Sequence, residues 1–234
     1  MPAPTPVPME ITIDYTPALR QHAGIGRYTR NLVAALAEID RENRYTLFCA
    51  GKTPERTDWP ANFSIKVTPL PSRWLTAAWH KLRLPLPADW LAGRADLFHS
   101  PDFTLPPLAR ARGLVTIHDL SYMRLPEVAD PGLRAYLAAS VPRSVARAAR
   151  ILADSANTKR DVVDLLGVSA SRVDVVQGGV EERFHHIESP EVRARVRDRY
   201  SLPDRFILFI GTLEPRKNLP RLISAFARMR RATS

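Results

Sequence analysis

Cysteine is almost missing: one residue, Cys49, among 234. A lone cysteine excludes any disulfide within the chain, and its place in the apolar run Tyr45 to Ala50 marks a small buried hydrophobe, not a catalytic thiol. That usage suits a reducing cytoplasm. Long apolar runs are missing too. Arg or Pro breaks each one well short of the ~18 residues that a spanning helix needs, so no membrane-crossing segment is expected. The opening MPAPTPVP has no apolar core, and residues 1–8 read as a disordered Pro-rich tail, not as a secretion signal. The adjacent pair His185 and His186 lacks the spacing of zinc ligands, and no metal is expected. Acidic residues are in deficit, 24 against 34 Lys and Arg, for a net charge of +10. Such a surplus favours an acidic partner. The arginines are spread along helical stretches, as at Arg143, Arg147 and Arg150, with no aromatic RNA-binding signature, zinc-finger spacing or heptad array. Nucleic acid is therefore not expected as a partner, and nucleotide phosphates and anionic headgroups remain.

What is present is alternation. With 45% hydrophobic and 25% charged residues the composition is that of an ordinary globular protein. Short β-rich runs at 10–14, 45–50, 64–69, 96–100, 114–118, 151–154 and 174–177 alternate with stretches of helical period at 26–39, 132–149 and 157–166. The pattern predicts an α/β fold, a Rossmann-like doubly wound parallel sheet with helices on both faces. Ser189 followed by Pro190 opens a further helix to Tyr200, and Gly167 is a stop after Leu166. The division expected is a domain over 9–183, a linker or hinge over 184–204, and at 205–234 the first strand, Phe206 to Ile210, and helix, from Leu219, of an incomplete second Rossmann-like domain. One strand and one helix cannot make a stable doubly wound domain, so the sequence reads as truncated.

In an open α/β sheet, ligands gather outside the carboxyl ends of the strands. Those ends are polar here: Asp14, His99 and Ser100, His118 and Asp119, Asp154 and Ser155, and Gln177. After the first strand, Gly24-Ile25-Gly26-Arg27-Tyr28 opens a long helix, where glycines admit a ligand close to backbone N–H groups and the helix start favours an anion. It is not a dinucleotide fingerprint, because Thr29 stands where the third glycine would be and no acidic residue closes the second strand. His118 sits at the rim of a central strand as a partner for substrate or a handler of protons. Arg216 and Lys217 precede Asn218, a candidate helix cap, and place two cations beside the positive end of a helix, an arrangement suited to a diphosphate.

Together GIGRY, DLFHSPDFTLPP, VTIHDLSY, ILADSANTKRDVVDLLGV and ILFIGTLEPRKNLPRLISAF resemble glycosyltransferase family 4, of the two-Rossmann-domain GT-B type, collinearly from about Ile11 to Ala227. The resemblance implies an acceptor-side amino-terminal domain, a donor-side carboxyl-terminal domain, and retaining transfer of a hexose, mannose being the commonest guess, from a nucleotide sugar to a saccharide or lipid-linked acceptor without a metal or other cofactor. It implies that Gly24 and Gly26 approach the donor phosphates or the reacting sugar, that His118 contacts the transferred sugar, and that Arg216 and Lys217 neutralise the diphosphate. Thr212 occupies a place where many relatives carry arginine, and the family's donor-gripping glutamate pair has no counterpart before Ser234. The alternative is a truncated, inactive acceptor-binding module that needs a separate partner half. Between Arg73 and Leu91, Trp74, Trp79 and Trp90 lie among Leu, Lys, Arg and Pro, a stretch that borders the acceptor site, touches the inner membrane face, or packs as an ordinary helix.

Overall fold

Strand β1, Glu10–Asp14, buries Ile11, Thr12 and Ile13 in succession, which a strand does only when it is covered on both faces. In the computed structural model, which describes residues 7–22 and 24–233, β1 lies inside a parallel sheet. Of the tail expected at 1–8, residues 1–6 lie outside the described residues. The other strands are β2 Arg44–Ala50, β3 Phe63–Thr68, β4 Leu97–Ser100, β5 Arg112–Ile117, β6 Arg150–Ala153 and β7 Val173–Val175. Their order is β3-β2-β1-β4-β5-β6-β7, every pairing parallel. The chain winds outward one way from β1 to β3 and then returns to the other side at β4, so the topological switch falls between β1 and β4. Seven of the eight strands read from the sequence are present, β1 on its expected residues and the other six with one or both ends shifted by one or two residues.

Helix α1, Thr16–Arg20, is a short turn that the sequence reading missed, and α2, Gly24–Ile39, follows it. Gly26, Thr29, Val33 and Ala37 are the buried stripe of α2 and recur at helical spacing. Between β3 and β4 lie α3, Ser72–Thr76, continued by a π-helical turn over Ala77–Lys81, and α4, Ala88–Ala92. After β5 come α5, Ser121–Arg124, and α6, Pro131–Arg147, whose Ser144 hydroxyl receives Leu105 N–H at 2.9 Å and donates to Ser140 O. Helix α7, Ala156–Leu166, starts at Ser155, whose hydroxyl accepts Thr158 N–H at 3.0 Å, and stops at Gly167 with φ 65°, a left-handed turn suited to glycine. Phe48, Phe98, Leu47, Ile117 and Ile151 are among the fully buried side chains of the sheet, each contributing roughly 1.5–3 kcal/mol of burial. Cys49 is buried with them, and burial pushes its thiol up to about 12.

The chain falls into two compact units: residues up to 126 with 130–178, and Glu127–Ala129 with Gly179 onward. The second contains α8, Pro190–Tyr200, capped by Ser189, and α9, Leu219–Thr233. The strand expected over Phe206–Ile210 does not form, which corrects the sequence reading. All five of its side chains are exposed. A strand needs neighbours to satisfy its backbone and cover its side chains, and among the described residues this segment has neither.

Candidate active site

The site is built where the sheet reverses its winding. Asp14 closes β1, and its Oδ1 accepts Thr16 N–H at 3.0 Å. Burial pushes its carboxyl up to about 6 against the pull of the Thr16 bonds, and the charge of Asp102 adds to the rise. Asp102 stands two residues past the end of β4, the neighbouring strand, and its Oδ2 accepts Gln21 Nε2–H at 2.6 Å. Burial raises the Asp102 carboxyl too, opposed by the Gln21 bond and by His118. Two carboxyl groups under mutual repulsion, one on each lip of the switch point, are positioned to accept hydrogen bonds from hydroxyls.

His118 follows β5 directly. Its Nε2 lies 2.9 Å from the Pro101 carbonyl, which can only accept, so this nitrogen carries a hydrogen. Its Nδ1 lies 3.5 Å from Oδ2 of Asp154, which follows β6. Thr158 of α7 fixes both neighbours, with its hydroxyl 2.9 Å from His118 O and 3.2 Å from Asp154 Oδ1. Tyr28 and Phe103 meet the imidazole edge-on, with ring centroids 5.0 and 5.5 Å away. Beneath them, His99 Nε2 contacts Thr116 Oγ1 at 2.9 Å, and Tyr28 Oη reaches the same hydroxyl at 3.5 Å. Burial, helped by His118, holds the His99 imidazole down at about 4, so it is neutral at neutral pH.

The first turn of α2 carries the two glycines. Gly24 is exposed, and a Cβ there would meet nothing within 4 Å. Gly26 is buried, and a Cβ would lie 1.8 Å from the Gln21 carbonyl oxygen. That close approach seats Gln21, the residue whose side chain holds Asp102. Arg30 NH1 donates to the carbonyls of Gln21 and Ala18 and fixes the same junction. Tyr28, on the same helix, connects the glycines to His118.

Arg216 and Lys217 belong to the second unit, in a 3-10 turn over Pro215–Lys217. Arg216 Nε donates to Glu214 Oε2 at 2.6 Å, and Thr212 Oγ1 donates to the other oxygen at 2.6 Å. The Thr212 bond first, and then that of Arg216, hold the Glu214 carboxyl below its usual range. Asn218, with φ 51°, takes the N–H groups of Arg221 and Leu222 on its carbonyl, so its backbone starts α9. Of the other polar strand ends, Asp119 is used locally, its Oδ1 accepting Ser121 N–H at the head of α5. The sequence reading gave no role to Asp102, Gln21, Thr116 or Tyr28. Asp102 sits past Pro101, beyond the end of β4, although it lies within DLFHSPDFTLPP; Gln21 is in a connection with no motif of its own.

A doubly wound parallel sheet with buried acid and imidazole groups at its carboxyl rim is a Rossmann-like α/β unit, and in such sheets ligands gather at the switch point. The sequence model of Glycosyltransferase Family 4 matches residues 22–184, and the chain belongs to that family. Among curated proteins it is similar to O-antigen chain mannosyltransferase B of Escherichia coli, 27% identical over 229 residues, covering 93% of this chain and 60% of that protein. It is also similar to the serotype-specific mannosyltransferase WbdA of Escherichia coli, 38% identical over 82 residues, or 35% of this chain and 10% of that protein. A third similarity is to D-inositol 3-phosphate glycosyltransferase of Acidothermus cellulolyticus, 32% identical over 130 residues, covering 55% of this chain and 28% of that protein. The chain thus spans between a tenth and three fifths of the length of these relatives. Among solved structures, the apo form of the lipopolysaccharide outer core galactosyltransferase WaaB aligns with a TM-score of 0.40 at 13% identity, over 74% of this chain and 46% of that one.

Proposed function

We infer that the chain takes part in retaining transfer of a hexose, mannose before others, from a nucleoside diphosphate sugar to a saccharide or lipid-linked acceptor. The reaction uses no metal and takes place on the cytoplasmic side, peripheral to the inner membrane. The observation that carries this reading is the His118 imidazole, fixed at the rim of β5 by Pro101 and Asp154 and flanked by the helix that Gly24 and Gly26 open. The mannosyltransferases among the relatives supply the sugar.

In this reading the amide-bearing start of α2 faces the negative donor, and the His118 ring contacts the sugar in transfer. Asp14 and Asp102 hold acceptor hydroxyls at the switch point. Arg216 and Lys217 stabilise the charge that develops on the diphosphate as the glycosidic bond breaks. Arg216 must exchange Glu214 for that anion, and both groups are partly exposed, so the exchange costs little.

The test mixes the chain with a panel of nucleoside diphosphate hexoses and a mannose-terminated acceptor. Release of nucleoside diphosphate and a product with the donor's anomeric configuration are expected, with His118→Ala lowering the rate about 100-fold. Release from no donor overturns the transfer reading. A second reading, an acceptor-binding module that needs a separate donor-binding half, is favoured by the exposed segment Phe206–Ile210. It predicts saccharide binding by titration without turnover, and turnover once that half is supplied.

A further inference from the structure

The excursion between β3 and β4 hides one side and shows the other. Helix α3 and the π-helical turn bury Leu75, Trp79 and His80. Trp79 donates its indole N–H to Leu86 O at 2.7 Å, and Arg143 of α6 donates to His80 O. The outward side carries Trp74, 63% exposed, and at the end of the π-helical turn Lys81 is exposed as well. Leu82, 68% exposed, and Leu84 then flank Arg83. This turn is pinned and not slack: the N–H groups of Leu82 and Leu84 bond back to the carbonyls of Ala77 and Ala78, and Arg83 is held at φ 57°, a left-handed conformation that costs a non-glycine residue energy. Further along the same excursion, Trp90 is 71% exposed.

Charge on this excursion has one outward sign. Asp89 is the only acidic residue between Asp58 and Asp96. It is buried, and its oxygens accept the N–H groups of Ala109, Arg110 and Ala111 at 2.8–3.2 Å. Arg73, Lys81, Arg83 and Arg94 are exposed, and no ion pair among the described residues engages any of them.

We propose that this face seats the protein on an anionic lipid bilayer, with Trp74, Leu82 and Leu84 at the headgroup boundary and Arg73, Lys81 and Arg83 on lipid phosphates. Cation and apolar side chains alternate here, in Arg73-Trp74 and in Lys81-Leu82-Arg83-Leu84. A bilayer surface receives both at one depth, whereas the core of a protein interface is depleted of lysine. The surface would bring lipid-linked acceptors to the rim, a consequence that rests on the proposed function; binding to lipid does not.

Sedimentation with vesicles of phosphatidylcholine alone, and of equal parts phosphatidylcholine and phosphatidylglycerol, tests it. The chain pellets with the anionic vesicles, not with the neutral ones, and tryptophan emission moves to shorter wavelength. Each cation contributes about fivefold to partition near an anionic surface, so the triple variant Arg73→Glu/Lys81→Glu/Arg83→Glu loses about a hundredfold or more. The charge-preserving variant Trp74→Ser/Leu82→Ser loses about tenfold. Arg193→Glu/Arg195→Glu/Arg199→Glu on exposed α8 makes the same change in net charge and stays within about threefold of the parent. Failure to pellet with anionic vesicles, an equal loss on reversing α8, or an unchanged Trp74/Leu82 variant each overturns the proposal. Sugar transfer enters none of these readouts. Failure here leaves the transfer reading standing, and vesicle binding without nucleoside diphosphate release leaves this surface standing.

Discussion

Asp14 and His99 sit on neighbouring strands and pull the pH dependence of stability in opposite directions. Asp14 holds its proton to about 6 in the fold against 3.8 ordinarily, so stability falls as pH rises between those values and stays reduced above them. Asp14→Asn removes that penalty: urea unfolding above about pH 7 should show a gain on the order of 2 kcal/mol that vanishes below about pH 4. His99 is depressed to about 4 from 6.5, so its neutral form supports the fold above 6.5 and that support is lost as pH falls towards 4. His99→Gln, which can still reach Thr116, should flatten the acid loss by about 2 kcal/mol in the same titration. At this scale the candidate site was legible in the sequence only in part. Asp14 ends β1 and His118 directly follows β5, and a polar residue at the end of an apolar run is visible in the letters. Asp102 and Gln21 meet across 81 residues, and only the fold brings that pair together.

Elements show what local signals can and cannot carry. Ser189 and Gly167 behave as the sequence predicted because a cap is a bond within three or four residues. The two glycines of α2 looked alike in sequence and differ in surroundings. Gly26→Ala forces a methyl carbon into the Gln21 backbone and should cost about 2 kcal/mol or more in chemical denaturation. Gly24→Ala has open space and should be neutral or stabilising by up to about 1 kcal/mol. A Gly24→Ala protein of full stability that binds nucleotide sugar normally would remove Gly24 from the donor site. Phe206–Ile210 shows the opposite limit: its letters are those of a buried strand, yet strand formation is decided by neighbours, which the letters of one segment do not contain.

At the scale of the whole molecule, the alternation of periods was enough to read the α/β class and the seven strands, because both signals are local. The order of the strands was not legible, since it depends on which pairs meet. Protection from exchange should divide the chain as burial does. Amides of β1, β4, β5 and β6 should exchange slowest, and those of residues 206–210 should exchange within seconds to minutes, as followed by deuterium uptake and mass spectrometry. Slow exchange at 206–210 would mean that this segment is paired in solution.

Placing β1 in the middle of the sheet has a price in time. Ile11 is made before either of its backbone neighbours, and one of them, Leu97, is made only after another 85 residues. Until then that edge of β1 stands open, apolar on both faces and able to pair with another chain. The nascent protein should therefore depend on chaperones most between synthesis of β3 and β4, the interval in which the cationic, tryptophan-bearing excursion is also being made.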